Sequence, residues 1–278
     1  MNLYELLKDV CRNQRLLMLT GLACFILFII LVIGSFFDSQ QILGINRWIK
    51  PVKFAVSGAV FLWTAAIYLY YLRDYKTSAR VIASGTAFAI IGEIILIVMQ
   101  SARGKTSHFN FTTSFDSAIF GLMGLLILFN TILIVYLTYL YFRAETDLPK
   151  ALIWGMRLGL IVFLIGSIQG GYMSGQTGHT VGLADGGAGL PIVNWSTGGG
   201  DLRIAHFVGL HGLQAIPLFA LFIVILQNRF SPFSPRHATA LTIVFAVLYV
   251  ASFTLVHLQA VRGKPLFGKQ IIVAESLP

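Results

Sequence analysis

A chain of 278 residues that is 56% hydrophobic and 11% charged, with a mean hydropathy of +0.80, falls well below the charge content of about 25% found in soluble domains. A water-soluble globule is excluded, and so is a disordered chain. Cys11 and Cys24 are the two cysteines, too few for a disulfide scaffold. The 20 Lys and Arg outnumber the 11 Asp and Glu, a balance that in a soluble protein would suggest nucleic acid. Here most basic residues flank long apolar runs, so membrane lipids are the expected partner and nucleic acid is not.

Crossing the hydrocarbon takes about 20 mostly apolar residues. Runs meeting that test lie at 16–37, 54–72, 81–99, 118–142, 151–172, 204–227 and 238–257. They predict an all-α, polytopic membrane protein with seven transmembrane helices in a single membrane domain, 1–278. The first run follows Lys8, Arg12 and Arg15 but is too long for a signal-peptide core, so it is read as retained. Seven spans put the termini on opposite faces. The links on the N-terminal face are then short, while the long connections, including 173–203, gather on the far face. The 20 basic residues split eleven to nine between the two faces, a narrow margin. The short-loop side is taken as cytoplasmic because the positive-inside rule weighs short loops most, and the membrane is expected to be a cell inner membrane.

The hexapeptide Gln100-Ser-Ala-Arg103-Gly104-Lys105 returns as Gln259-Ala-Val-Arg262-Gly263-Lys264, and Lys50-Pro-Val-Lys53-Phe54 lies against Arg203-Ile-Ala-His206-Phe207. These matches suggest a 3+1+3 parallel internal repeat. Its first triplet is 1–99, its linker helix 118–142, and its second triplet 151–257, with the Gly-rich loop 173–203 as a cover between helices five and six.

Candidate chemistry collects on the far face. Lys50, Lys53, Gln100, Arg103, Arg203 and Arg262 could ring an anion, because the guanidinium fork engages two oxygens of a phosphate or carboxylate at once. Asp201 is expected to cap the sixth span. Five of the six histidines fall on this side. His108, His179 and His206 with Asp201 form a candidate metal set for zinc, iron or copper, although His206 and His211, five residues apart, are not on one helical face. A haem between His211 and His257 lacks an attachment motif.

Glu93 is the one acidic residue deep within a span, and a carboxylate in hydrocarbon is by default a functional group. Gln100 lies two turns on along the same stripe. Glu93 and His211 are the candidate acid and base. The reading that follows is a protein binding or transporting a small anionic or polar solute at the non-cytoplasmic face. The alternative is a membrane-embedded, metal-dependent enzyme acting on a lipid or lipid-linked substrate.

Overall fold

The computed structural model describes residues 3–230 and 234–271. It is helical apart from two small two-stranded sheets and the connecting loops. Seven helices are long and apolar enough to cross a membrane: α2 (Arg15–Ser35), α3 (Ile49–Tyr70), α4 (Lys76–Ala102), α5 (Ser114–Arg143), α6 (Lys150–Gly175), α7 (Leu202–Phe230) and α8 (Pro235–Val261). The chain is thus a multi-pass membrane protein.

An eighth helix, α1 (Leu3–Asn13), precedes them. It lies outside the seven apolar runs, because eleven residues are too few to span and its apolar positions are interleaved with charge. Its signal was nonetheless present: Leu3, Leu6, Leu7 and Val10 follow the i, i+3, i+4, i+7 spacing of one helical face, and Val10 is fully buried.

The spanning helices also run past the predicted apolar cores. Lys50 and Lys53 lie in the first turns of α3, Gln100 in the last turns of α4, and Arg203 in the first turn of α7. Polar first and last turns reach the headgroup region, where hydropathy no longer reports helix.

The chain divides into two compact units, Met1–Thr146 and Asp147–Pro278. In the first, α2, α3 and α4 pack on one another, α5 lies against α4, and α1 touches α2 and α3. The indole of Trp63 rests on Gly21 of α2 and donates to the Met18 carbonyl at 3.2 Å. Between α2 and α3, strands β1 (Gln41–Ile42) and β2 (Ile45–Asn46) form a hairpin. Its corner residues Leu43 and Gly44 have φ of 51° and 77°, the pair of positive values that a type I′ turn requires.

In the second unit α6, α7 and α8 pack mutually. Lipid tails give apolar side chains no reason to leave them, so helices in a membrane associate through close packing of small residues. Gly166 of α6 and Gly209 of α7 provide this: a Cβ on Gly209 would sit 2.5 Å from Gly166 Cα. The Gly-rich loop between α6 and α7 carries its own hydrogen bonds. Strand β3 (Thr180–Val181) pairs with β4 (Gly200–Asp201), and Gly189 bridges to Ser196. Gly200 lies so close to the end of α8 that any side chain there would strike the Ala260 carbonyl.

Both matched hexapeptides end a helix in the same way. Gly104 and Gly263 have φ of +68° and +70°. Lys105 N–H donates to Gln100 O, and Lys264 N–H to Gln259 O, at 2.9 and 3.3 Å. This is the Schellman closure, whose left-handed residue favours glycine. Cap geometry therefore accounts for the glycine in each copy.

Candidate functional site

At the far end of the first unit, the start of α5 is built around Asp116, which is fully buried. Thr113 caps the helix by accepting the Asp116 N–H at 3.1 Å, and its hydroxyl donates back to the Asp116 carboxylate at 2.8 Å. Gln100 Nε2 and an Arg103 guanidinium nitrogen reach the other carboxylate oxygen at 2.9 and 2.7 Å. Arg103 also donates to the Gln100 side-chain carbonyl and lies over the Phe115 ring. Gln100 and Arg103, expected to hold an anionic ligand, are thus engaged with an internal carboxylate.

A second knot ties the hairpin to this end of the unit. Asp38 accepts from the Gln40 amide at 3.0 Å, Arg47 Nε at 2.7 Å and Trp48 Nε1 at 2.8 Å, while Arg47 also donates to the Ala102 carbonyl at 3.1 Å. The Gln40 amide, against the smaller effect of partial burial, and then the Trp48 and Arg47 donors hold the Asp38 carboxyl below the usual carboxylate range.

Glu93 lies roughly 13 Å down α4 from the Ala102 end and is buried. One carboxylate oxygen stands 3.7 Å from His108 Nε2; the other, also buried, has no hydrogen-bond partner among the described residues. His108 descends from the α4–α5 loop, its Nδ1 3.1 Å from the Ser107 hydroxyl, within a wall of Phe54, Phe109 and Phe120. Lys50 extends over the Phe54 ring, its ammonium nitrogen 5.9 Å from the ring centroid. The middle of α4 and the loop before α5 therefore bring a carboxylate and an imidazole together beside aromatic rings, and the first turn of α3 sets the Lys50 ammonium over one of those rings. His108, placed in the metal set from the sequence, is instead the neighbour of Glu93. Its loop position hid this, since the path of a long connection cannot be read from hydropathy.

Below Glu93 the polar stripe continues. Thr86 lies seven residues before it on α4, and Gly85 is level with Phe129 and Leu133 of α5, which brackets Asn130. Thr86 and Asn130 are buried, and among the described residues Thr86 Oγ1 and Asn130 Oδ1 have no hydrogen-bond partner. Buried polar atoms of this kind are normally satisfied by protein or internal water.

In the second unit Asp201 takes the capping position expected of it, accepting the Arg203 N–H at 3.0 Å. The Arg203 guanidinium folds back onto the same carboxylate, with contacts of 2.9 and 2.6 Å, and donates to the Asn194 carbonyl. Arg203 and Asp201, assigned to an anion site and a metal set, thus satisfy each other. His179 Nδ1 lies 3.0 Å from Asp185. His206 Nδ1 donates to the Gly166 carbonyl at 2.8 Å, helping to lock α7 on α6. His211 packs against Phe207 with ring centroids 4.2 Å apart. Arg262 is exposed at the end of α8. Among the described residues, no three His, Cys, Asp or Glu side chains are grouped closely enough to hold a metal ion.

Burial works against the Asp185 charge, yet the His179 hydrogen bond and charge and the Thr180 donors hold its carboxyl below the ordinary range. A lowered folded value contributes stability that is present above the ordinary carboxylate range and lost as pH falls through the folded one. Asp185→Asn should therefore speed amide exchange at His179 and Thr180, whose N–H groups bond to this carboxylate. The difference from wild type should shrink in acid, as measured by hydrogen–deuterium exchange.

No known protein family matches the chain, and no curated protein or solved structure is significantly similar to it.

Proposed function

We propose that the protein binds and transports a small anionic or polar solute together with a proton, and that the site is the enclosure formed by Glu93, His108 and Lys50. The observation carrying this reading is the buried Glu93 carboxylate, with one oxygen near an imidazole that leads to the far-face loop and the other unpartnered inside the bundle.

The chemistry follows from charge. When Glu93 takes a proton, the enclosure becomes more positive by one charge, which favours entry of an anion beside Lys50 and Lys53 in the first turns of α3. Proton and anion then arrive together, and neither enters the low-dielectric interior with its charge uncompensated. His108 relays the proton between the loop and Glu93, since its ring nitrogens lie toward Ser107 and Glu93. Thr86 and Asn130 extend the polar stripe toward the opposite face through internal water.

The setting is read as an inner membrane with the N-terminus cytoplasmic, supported by the short basic connections on that side. The two triplets are read as a parallel repeat, supported by their matched Schellman ends and by the mutual packing within each.

The test uses proteoliposomes containing a trapped pH-sensitive dye and a panel of small carboxylates and phosphates. At least one solute should drive internal acidification, Glu93→Gln should abolish it, and His108→Ala should slow it. Solute-driven proton movement unchanged by Glu93→Gln, or none with any member of the panel, would refute the reading.

A further inference from the structure

A cleft of about 1210 Å³ opens at the other end of the first unit, on the side where α4 begins. Glu93 lies 17 residues along α4 from Lys76, roughly 25 Å away, so the proton site and this cleft are separate. The last turn of α1, the end of α3, the α3–α4 link and the first turn of α4 all contribute to its walls.

Its charge is unbalanced. Arg12, Arg73, Lys76 and Arg80 line it against Asp9 and Asp74, leaving two positive charges in excess. Among the described residues, none of the four cations forms an ion pair within 4.0 Å.

Arg73 is held in place rather than left to wander. Its guanidinium lies over the Tyr70 ring and donates to the Tyr70 hydroxyl at 3.3 Å. Tyr70 is buried, and its hydroxyl lies 3.5 Å from Asp9 of α1. This chain from Asp9 through Tyr70 to Arg73 orients a guanidinium that lines the cleft. Ordering of this kind lowers the entropic cost of engaging a ligand. Simple anchoring at a membrane edge needs no such fixed geometry, only cations on flexible stems. The first turn of α4, which no side chain caps, adds N–H groups of the sign that suits an anion.

We propose that this cleft binds a phosphate group, carried by an anionic lipid headgroup or by a free phosphate compound. Arg73 serves as the oriented fork, with Arg12, Lys76 and Arg80 as the surrounding cations.

The test takes the full chain into phosphatidylcholine nanodiscs with and without phosphatidylglycerol. Lipid retention is read by native mass spectrometry after release, and inorganic phosphate is titrated by calorimetry. Phosphatidylglycerol retained over phosphatidylcholine identifies the headgroup as ligand, whereas heat from inorganic phosphate identifies a free phosphate site. In either arm Arg73→Gln should weaken binding by at least about tenfold, the loss of one charge-assisted bidentate contact. Arg80→Gln, at an exposed position on α4, should weaken it less. Equal retention of both lipids with no phosphate heat would overturn the proposal, as would unchanged binding in the Arg73→Gln, Arg80→Gln double variant.

Discussion

Asp116→Ala is expected to destabilise the first unit by clearly more than an ordinary surface substitution, because it strands the Gln100 and Arg103 donors, although the solvent access of Arg103 softens the loss. The substitution leaves Gln100 and Arg103 facing a void and removes an acceptor for the Thr113 hydroxyl. Asp116→Asn, which keeps the shape and one acceptor, should cost less. Asp116→Ala combined with Arg103→Leu should be more stable than Asp116→Ala alone, since the second change removes the stranded charge. Reversible unfolding in mixed micelles, followed by the fluorescence of Trp48 and Trp63, measures all three variants. A loss below about 0.5 kcal/mol for Asp116→Ala, the range of ordinary surface substitutions, would show that the knot does not hold this end of the unit.

The second large effect is expected at the contact of α6 with α7. Alanine at Gly209 gains up to about 1 kcal/mol of helix propensity, but its Cβ would lie 2.5 Å from Gly166 Cα. That obstacle is backbone and cannot swing aside. Overpacking costs about 1–3 kcal/mol where side chains can adjust, so the clash should win and Gly209→Ala should destabilise by about 2 kcal/mol net. Gly171→Ala supplies the contrast, because a Cβ there meets nothing within 4 Å. It should be neutral or slightly stabilising. Unfolding followed through Trp154 and Trp195 reads both, and the opposite order of stabilities would remove close backbone approach as the basis of this interface.

The spans were legible because hydrocarbon sets a length and a polarity that no other environment imposes on a chain. The helix ends were less so: Lys50, Gln100, Asp116 and Arg203 are polar, yet they lie in helices whose terminal turns reach beyond the apolar slab. Helix α1 escaped notice because an amphipathic segment of eleven residues has no hydropathy signal of its own. Glu93 stood out, since a carboxylate within a span is rare. Its partner did not, because His108 reaches it from a loop.

The arginines illustrate a deeper limit. Arg103 and Arg203 looked like ligand groups, and the guanidinium chemistry that suits a bound anion suits an internal carboxylate equally well. Asp116 lies thirteen residues beyond Arg103 and Asp201 two residues before Arg203, but only the folded loops show that each pair meets. Capping by Asp201 was readable because it depends on local sequence; the choice between ligand and internal partner was not, because it depends on tertiary placement.

Apart from these internal pairings stands the buried Glu93 carboxylate beside His108, and the proposed function rests on its ability to take up and release a proton. Infrared difference spectroscopy of the reconstituted protein across a pH step measures this directly. A protonated-carboxyl band should grow as pH falls, be absent in Glu93→Gln and change position in His108→Ala. The same band persisting in Glu93→Gln, or no carboxyl change in the wild type, would contradict a proton site at Glu93.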